Sequence, residues 1–220
     1  MDKLDRFYQK INGCYFAFLG VATSLVCIFI AYLLFIQVDP SFTIFTHFIS
    51  DLGDGPNFSN VVFSIGVISS SVISLFFYVF LTKLLIERKA NKVLSMLGLL
   101  FGVVSFIGSF LVGIFPSAAA PLEHRIGALL SFSGSFFISI LYSGAELTSR
   151  DFNKIIGTSG FLIAPFPIAF LLTYLFLHFP GINSTIPIFI EWLAYFTRMG
   201  WVIIQGAYVF RLQLIEGEMN

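Results

Sequence analysis

Long apolar stretches alternate with short polar breaks along the whole chain. Each stretch holds about 20 residues or more, which is the length that an α-helix needs to cross the hydrocarbon core of a bilayer. The breaks carry Asp, Asn, Gly, Pro or clustered charge, and these residues end helices and form loops. The pattern predicts six membrane spans, at about 14–38, 60–86, 93–115, 122–147, 155–179 and 186–212.

The composition agrees with a membrane protein and argues against an ordinary soluble domain. Of the 220 residues, 57% are hydrophobic and 11% are charged, whereas a soluble domain carries about a quarter charged residues. A helix can lie in lipid because it satisfies its own backbone hydrogen bonds. We therefore predict an all-α, polytopic membrane helical bundle that forms one domain over residues 1–220 and is surrounded by membrane lipids. Nothing in the sequence specifies an oligomeric state.

The distribution of positive charge predicts the orientation of this bundle. Ten of the twelve lysine and arginine residues fall on one face, namely Lys3, Arg6, Lys10, Lys83, Arg88, Lys89, Lys92, Arg150, Lys154 and Arg211. Positive residues stay preferentially on the cytoplasmic side. We therefore expect a multi-pass protein of the cell membrane with both termini in the cytoplasm. The net charge of zero does not bear on a nucleic-acid partner, but the lack of a basic stripe with interleaved aromatic residues predicts none.

Small residues recur at helical spacing in the third and fourth predicted spans. The third contains Gly98, Gly102, Ser105, Ser109 and Gly113, and the fourth contains Gly127, Ser131, Ser135, Ser139 and Ser143. Helices in lipid associate through such residues because these let two backbones approach closely. We interpret both stripes as packing contacts, with a polar pathway as the alternative for the fourth span. Two prolines, Pro165 and Pro167, predict a kink in the fifth span.

The loop after the first predicted span contains several groups that could take part in chemistry. Its segment 45–52 is apolar enough for a short interfacial or re-entrant helix. This helix should be stopped by the turn residues Asp51, Gly53, Asp54, Gly55 and Pro56. On such a helix His47 and Asp51, at i and i+4, would share one face. Either they form a local hydrogen bond that fixes the loop, or they belong to a functional site in which Ser50 and Asp51 are the candidate catalytic residues.

Further polar groups are predicted at the same outward-facing end. Glu123, His124 and Arg125 open the fourth span, and His178 ends the fifth. Glu123 has an ordinary explanation, because an acidic residue in the first turn of a helix interacts favourably with the helix dipole. His178 can equally be an interfacial side chain at a helix end.

The sixth predicted span carries a charged residue deep in the membrane. Glu191, Tyr195 and Arg198 are spaced so that they face the same way. A charge at the bilayer centre costs about 2.5 to 3.5 kcal/mol or more. We therefore expect Arg198 to face the bundle interior, next to a carboxylate or water. It belongs either to a ligand-facing cavity or to a structural ion pair.

Two short motifs give the chain a family resemblance. The loop FTHFISDLGDGPN precedes an apolar span that begins NVVFSIG, and the matching positions are Ile49, Ser50, Leu52, Gly53, Phe115, Pro116 and His124. In these features the chain resembles the prokaryotic six-span family catalogued as domain of unknown function 998, which is related to the wider Frag1/DRAM/Sfk1 group. The resemblance implies the six-span topology and no assigned activity.

A second resemblance gives an enzyme hypothesis its form. Intramembrane zinc hydrolases of the alkaline-ceramidase and progestin-receptor-like group use three His with an Asp and a Ser near one membrane face. The chain has the same residue types in His47, His124 and His178 with Ser50 and Asp51, although it has six predicted spans rather than seven and no paired HxxxH. The resemblance implies zinc as a cofactor and hydrolysis of a lipid amide or ester.

Three functions are therefore open at the level of the sequence. The first is an outward-facing polar cavity that binds or transports a lipid-like or anionic ligand, with the ligand-binding candidates Arg198, Glu191, Arg125, Glu123 and Tyr195. The second is the zinc-dependent hydrolase. The third is a structural or partner-binding membrane protein. The first has the advantage that it explains a deep arginine.

Overall fold

A computed structural model describes residues 3–175 and 185–218, and this part of the chain is helical and contains no strand. The α-helices are α1 (Lys3–Lys10), α2 (Cys14–Ile36), α3 (Ser59–Glu87), α4 (Lys92–Ile114), α5 (Pro121–Thr148), α6 (Lys154–Ile163), α7 (Pro165–Leu175) and α8 (Thr185–Glu218). A short 3-10 helix, Ile49–Asp54, lies in the loop between α2 and α3.

Five of the predicted spans are confirmed as helices that are long and apolar enough to cross a membrane. They are α2, α3, α4, α5 and the consecutive pair α6–α7, which together cover Lys154–Leu175. The sixth span, α8, has 34 residues, but Glu191, Arg198 and Gln205 interrupt its apolar sequence. Its passage through the membrane and the cytoplasmic position of the termini stay predictions.

Local sequence explains where the helices begin and where one of them breaks. The side chains of Asn91 and Asn153 accept hydrogen bonds from backbone amides in the first turns of α4 and α6, as N-cap residues do. The fifth span breaks at Ala164, between α6 and α7. Because Pro165 has no N–H to donate, the helical ladder is interrupted there, and the predicted kink is confirmed.

The backbones of α4 and α5 are in direct contact. A Cβ atom added to Gly108 would lie 2.2 Å from the amide nitrogen of Ser131, and one added to Gly127 would lie 2.9 Å from the carbonyl oxygen of Gly108. In addition, the Ser105 hydroxyl donates to the Ser131 carbonyl oxygen at 3.1 Å. The interpretation of the small-residue stripes as packing contacts is confirmed for Ser105, Gly127 and Ser131, whereas Gly108 packs here without having been part of the predicted stripe.

The predicted helix in the first loop exists, but its position differs from the prediction. It begins at Ile49 and runs through Asp54, so the glycine at position 53 lies inside it rather than stopping it. Residues before Ile49 form turns, which means that His47 precedes the helix. The prediction that His47 and Asp51 share a helical face was therefore wrong.

Candidate functional site

Two neighbouring cavities lie at the end of the bundle that the charge pattern predicts to face outward. The deep cavity, of about 50 Å³, is formed by α3, α4, α5, α8 and the 3-10 helix, and its lining includes Ser71, Ser109, Ser135, Tyr195 and Arg198. The loop cavity, of about 250 Å³, includes Asp51, Ser117, Arg125, Phe170 and Tyr174 in its lining. The two cavities share Ser50, His124, Ala128 and Glu191. These four residues therefore form the boundary between them.

Arg198 lines the deep cavity, and its guanidinium keeps one buried donor, Nε, without a protein partner in the described part of the chain. Its Nη1 donates to the Ser135 hydroxyl at 3.2 Å, whereas its buried Nε has no hydrogen-bond partner. Tyr78 lies close enough to interact with it electrostatically. Within residues 3–175 and 185–218, no carboxylate oxygen lies within 4.0 Å of this group. The expected carboxylate partner of Arg198 is thus not found in this part of the chain.

Glu191 fixes the short 3-10 helix over the cavities. It is 3% exposed, and its Oε2 accepts a hydrogen bond from the amide of Ile49 at 2.7 Å. The next residue, Trp192, donates from Nε1 to the carbonyl oxygen of His47 at 2.9 Å. Two consecutive residues of α8 therefore hold the loop from both sides of Phe48, so the boundary residue Ser50 has a defined position.

His124 presents one ring nitrogen to the cavities. The residue is 7% exposed, and its Nδ1 lies 2.9 Å from the carbonyl oxygen of Phe115. A carbonyl oxygen only accepts, so Nδ1 must carry the hydrogen of this bond. In the neutral ring Nε2 is then the acceptor. Because His124 lines both cavities, it can accept a hydrogen bond from a bound molecule.

The histidines proposed as zinc ligands are not brought together in the described structure. His47 lies 3.9 Å from the carboxylate of Asp39, bonds to the Thr46 hydroxyl and stacks on Phe42. It lines neither cavity. Among the residues that the structure describes, no three His, Cys, Asp or Glu side chains are grouped so that they could hold a metal ion. His178, the third predicted ligand, lies outside the described residues.

Asp51 stabilises the loop rather than pairing with His47. Its Oδ2 accepts a hydrogen bond from the amide of Phe48 at 2.8 Å, which caps the 3-10 helix. Burial raises the pKa of this carboxyl above its usual value of 3.8, although the Phe48 amide and the nearby His47 oppose the shift. The Asp51 carboxyl lines the loop cavity together with Ser50. The structure thus places both candidate catalytic residues at this cavity.

Three further predicted ligand-binding residues occupy different positions. Arg125 is exposed and lines the loop cavity, whereas Tyr195 lines the deep cavity and shares a hydrogen bond with the hydroxyl of Ser24 on α2. Glu123 is exposed in the first turn of α5 and lines neither cavity.

A lateral groove opens from the loop cavity between α5 and α7. It has a volume of about 290 Å³, and its lining is mostly apolar, including Ile126, Leu129, Leu171 and Leu175. The groove and the loop cavity share Arg125, Ala128, Phe170 and Tyr174. An apolar surface between two helices is thus continuous with a polar cavity. The sequence did not predict this groove, because no periodicity in one helix reveals which neighbour leaves a gap beside it.

A second element that sequence reasoning missed connects the two loops at this end. The carboxylate of Asp54 accepts hydrogen bonds from the amide of Ser117 at 3.0 Å, the hydroxyl of Ser117 at 2.6 Å and the amide of Ala118 at 3.0 Å. The turn before α5 is therefore fastened to the 3-10 helix. The sequence marked Asp54 only as a turn residue, and its partner lies more than sixty positions away.

Comparison with known proteins agrees with the sequence motifs. No curated protein and no solved structure matches the chain. The sequence model of a family described as "Protein of unknown function (DUF998)" matches residues 18–208. This match covers the helices that form both cavities and the groove, from α2 to most of α8. The chain therefore belongs to the DUF998 family.

Proposed function

We propose that the protein binds an anionic, lipid-like ligand, with the charged headgroup in the two cavities and the apolar tail in the lateral groove. The observation that carries this proposal is the environment of Arg198. Its guanidinium has a buried Nε without a partner, and within the described residues it has no carboxylate beside it. An anion would supply the missing acceptor and charge together, because guanidinium binds carboxylate and phosphate through paired hydrogen bonds.

The sizes of the cavities support a ligand that is divided between them. A volume of about 50 Å³ in the deep cavity leaves room for a small charged group next to Arg198, and the loop cavity of about 250 Å³ can hold the rest of a headgroup. Arg125 lies where the loop cavity meets the groove, so a second positive charge faces the same headgroup. His124 and Glu191, at the boundary, would contact its polar atoms.

The lateral groove supports a lipid-like ligand over a free anion. Its lining is apolar, and it lies between helices that both belong to candidate membrane spans. A hydrocarbon chain in this groove would contact Leu129 and Leu171 while its headgroup stayed with the arginines. A transported ligand would need the same headgroup cavities and the same apolar groove as a ligand that is only bound. The proposal therefore covers both binding and transport.

The test is a binding titration of the detergent-purified protein with three probes. They are a long-chain alkyl phosphate, an uncharged alkyl glycoside with the same chain, and inorganic phosphate. We expect the alkyl phosphate to bind most tightly. Arg198→Gln should weaken its binding by about tenfold or more, because one hydrogen bond to a charged group is worth about 1.5 to 3 kcal/mol.

A matched control is Arg211→Gln, which removes a positive charge from the same helix at an exposed position far from the cavities. It should leave the affinity unchanged. Equal affinity of the wild type and Arg198→Gln for the alkyl phosphate would overturn the proposal. Equal affinity for inorganic phosphate and alkyl phosphate would overturn the role of the groove and leave a simple anion site.

A further inference from the structure

Two buried polar side chains contact each other far from the cavities, near the opposite end of α5. Gln205 of α8 donates from Nε2 to Oε2 of Glu146 at 3.2 Å, and both side chains are 0% exposed. The pair lies seven residues beyond Arg198 along α8, which is about two helical turns. The sequence analysis singled out neither residue, because Glu146 lies next to the predicted end of its span and Gln205 carries no charge.

The remaining oxygen of each side chain has no partner. Both Oε1 of Glu146 and Oε1 of Gln205 are buried without a hydrogen bond. A buried acceptor without a donor costs about 1 to 3 kcal/mol, and native proteins contain few of them. Two such oxygens at one contact therefore indicate that a hydrogen-bond donor is missing from this pair.

The surroundings of Glu146 supply no positive charge that could balance an ionised carboxylate. Within the described residues, no Lys, Arg or His nitrogen lies within 4.0 Å of its oxygens. Lys154, at the start of α6, donates instead to the carbonyl oxygens of Leu147 and Ser149. On α5, one turn before Glu146, the hydroxyl of Tyr142 bonds to Thr82 and to the carbonyl oxygen of Tyr78 on α3.

We propose that Glu146 and Gln205 form a proton-binding site. In this site a proton on Oε1 of Glu146 is donated to Oε1 of Gln205, while Nε2 of Gln205 donates to Oε2 of Glu146. An acid and a primary amide can close a ring of two hydrogen bonds in this way. One proton then provides the donor for the unpartnered oxygen of Gln205, turns the unpartnered oxygen of Glu146 into a donor, and removes a buried charge.

The proposed site is independent of ligand binding at the cavities, but it affects the charge of the bundle. A neutral Glu146 provides no counter-charge for Arg198. It also makes the contact between α5 and α8 dependent on a proton, because loss of that proton would leave two acceptors and a buried negative charge at this contact. The protein would then lose stability as the pH rises far enough to ionise the pair.

Infrared spectroscopy of the purified protein tests this proposal directly. The wild type at neutral pH should show the carbonyl band of a protonated carboxyl group. Glu146→Gln should remove this band, whereas Glu123→Gln, which changes an exposed acid on the same helix, should not. Gln205→Met should shift the band, because the acid loses its amide partner. If Glu146→Gln leaves the spectrum of protonated carboxyl groups unchanged, Glu146 is ionised and the proposal is wrong.

Thermal unfolding gives a second readout that does not depend on assigning a band. Glu146→Gln can form the same ring with an amide N–H in place of the acid O–H, so it is a neutral mimic of the proposed state. The unfolding temperature of the wild type should fall relative to that of Glu146→Gln as the pH is raised. Parallel pH profiles of the two proteins would contradict the proposal.

Discussion

Glu191 and Arg198 lie two turns apart on α8 and line the same deep cavity, but they do not form a salt bridge. The carboxylate of Glu191 accepts a hydrogen bond from the amide of Ile49, and the guanidinium of Arg198 donates to the hydroxyl of Ser135. The acid therefore holds a loop in place, while the buried Nε of Arg198 has no hydrogen-bond partner in the described part of the chain. The anion-binding proposal depends on this separation, because an ion pair with Glu191 would neutralise the charge of Arg198.

The role of Glu191 gives the first prediction. Glu191→Ala removes the acceptor of the buried Ile49 amide, so we expect it to destabilise the protein by about 1 to 3 kcal/mol. Hydrogen exchange of the amides at 49–54 should become faster than in the wild type. Glu191→Gln keeps a side-chain oxygen and should retain most of the protection. If Glu191→Ala leaves exchange at these amides unchanged, the carboxylate does not position the 3-10 helix.

The contact between Asp54 and the turn before α5 gives the second prediction. Asp54→Ala removes three hydrogen bonds to Ser117 and Ala118. Because Asp54 is exposed, water replaces part of their contribution, and we expect a loss of about 1 kcal/mol rather than the sum of three bonds. Hydrogen exchange of the Ser117 and Ala118 amides is the measurement. Asp39→Ala, in the same loop, is the control that should leave these two amides protected.

The contact between α4 and α5 gives the third prediction. Gly108→Ala would place a Cβ atom 2.2 Å from a backbone nitrogen of α5, so the helices must separate. Overpacking of this kind costs about 1 to 3 kcal/mol. Gly200 on α8 is a matched control, because nothing lies within 4 Å of an added Cβ there. We expect Gly200→Ala to keep or raise the unfolding temperature and Gly108→Ala to lower it. Similar effects of the two substitutions on the unfolding temperature would contradict the close packing of α4 against α5.

Sequence periodicity predicted the parts of this fold that depend on one helix at a time. It identified five apolar helices, the break before Pro165 and the small-residue face of α5 that contains Gly127 and Ser131. These features follow from local chemistry, namely apolar length, the missing N–H of proline and the small size of glycine and serine.

The candidate site was only partly predictable, because its partners come from distant segments. The sequence indicated that Arg198 faces the interior, but not that Ser135 would be its partner. It paired His47 with Asp51 through an assumed helix, whereas the chain turns before Ile49 and brings Asp39 next to His47 instead. The pair Glu146–Gln205 was missed because Glu146 lies next to the predicted end of its span, Gln205 carries no charge, and their contact joins two distant helices.

The half-buried carboxyl of Asp51 leads to a prediction about pH. Burial raises its pKa above the usual 3.8, so the folded protein holds this proton more tightly than the unfolded chain. Between the usual value and the raised one, the folded state therefore binds more protons, and its stability falls as the pH rises through that window. At higher pH both states are ionised, and this contribution becomes constant.

Asp51→Asn should remove that contribution while its side-chain oxygen still accepts the hydrogen bond from the Phe48 amide. We expect the stability of the wild type, relative to Asp51→Asn, to decrease from acid pH towards neutrality. Chemical unfolding of both proteins at several pH values measures the difference. If the difference in the free energy of unfolding between the wild type and Asp51→Asn stays constant across the acid range, burial of Asp51 does not oppose its ionisation.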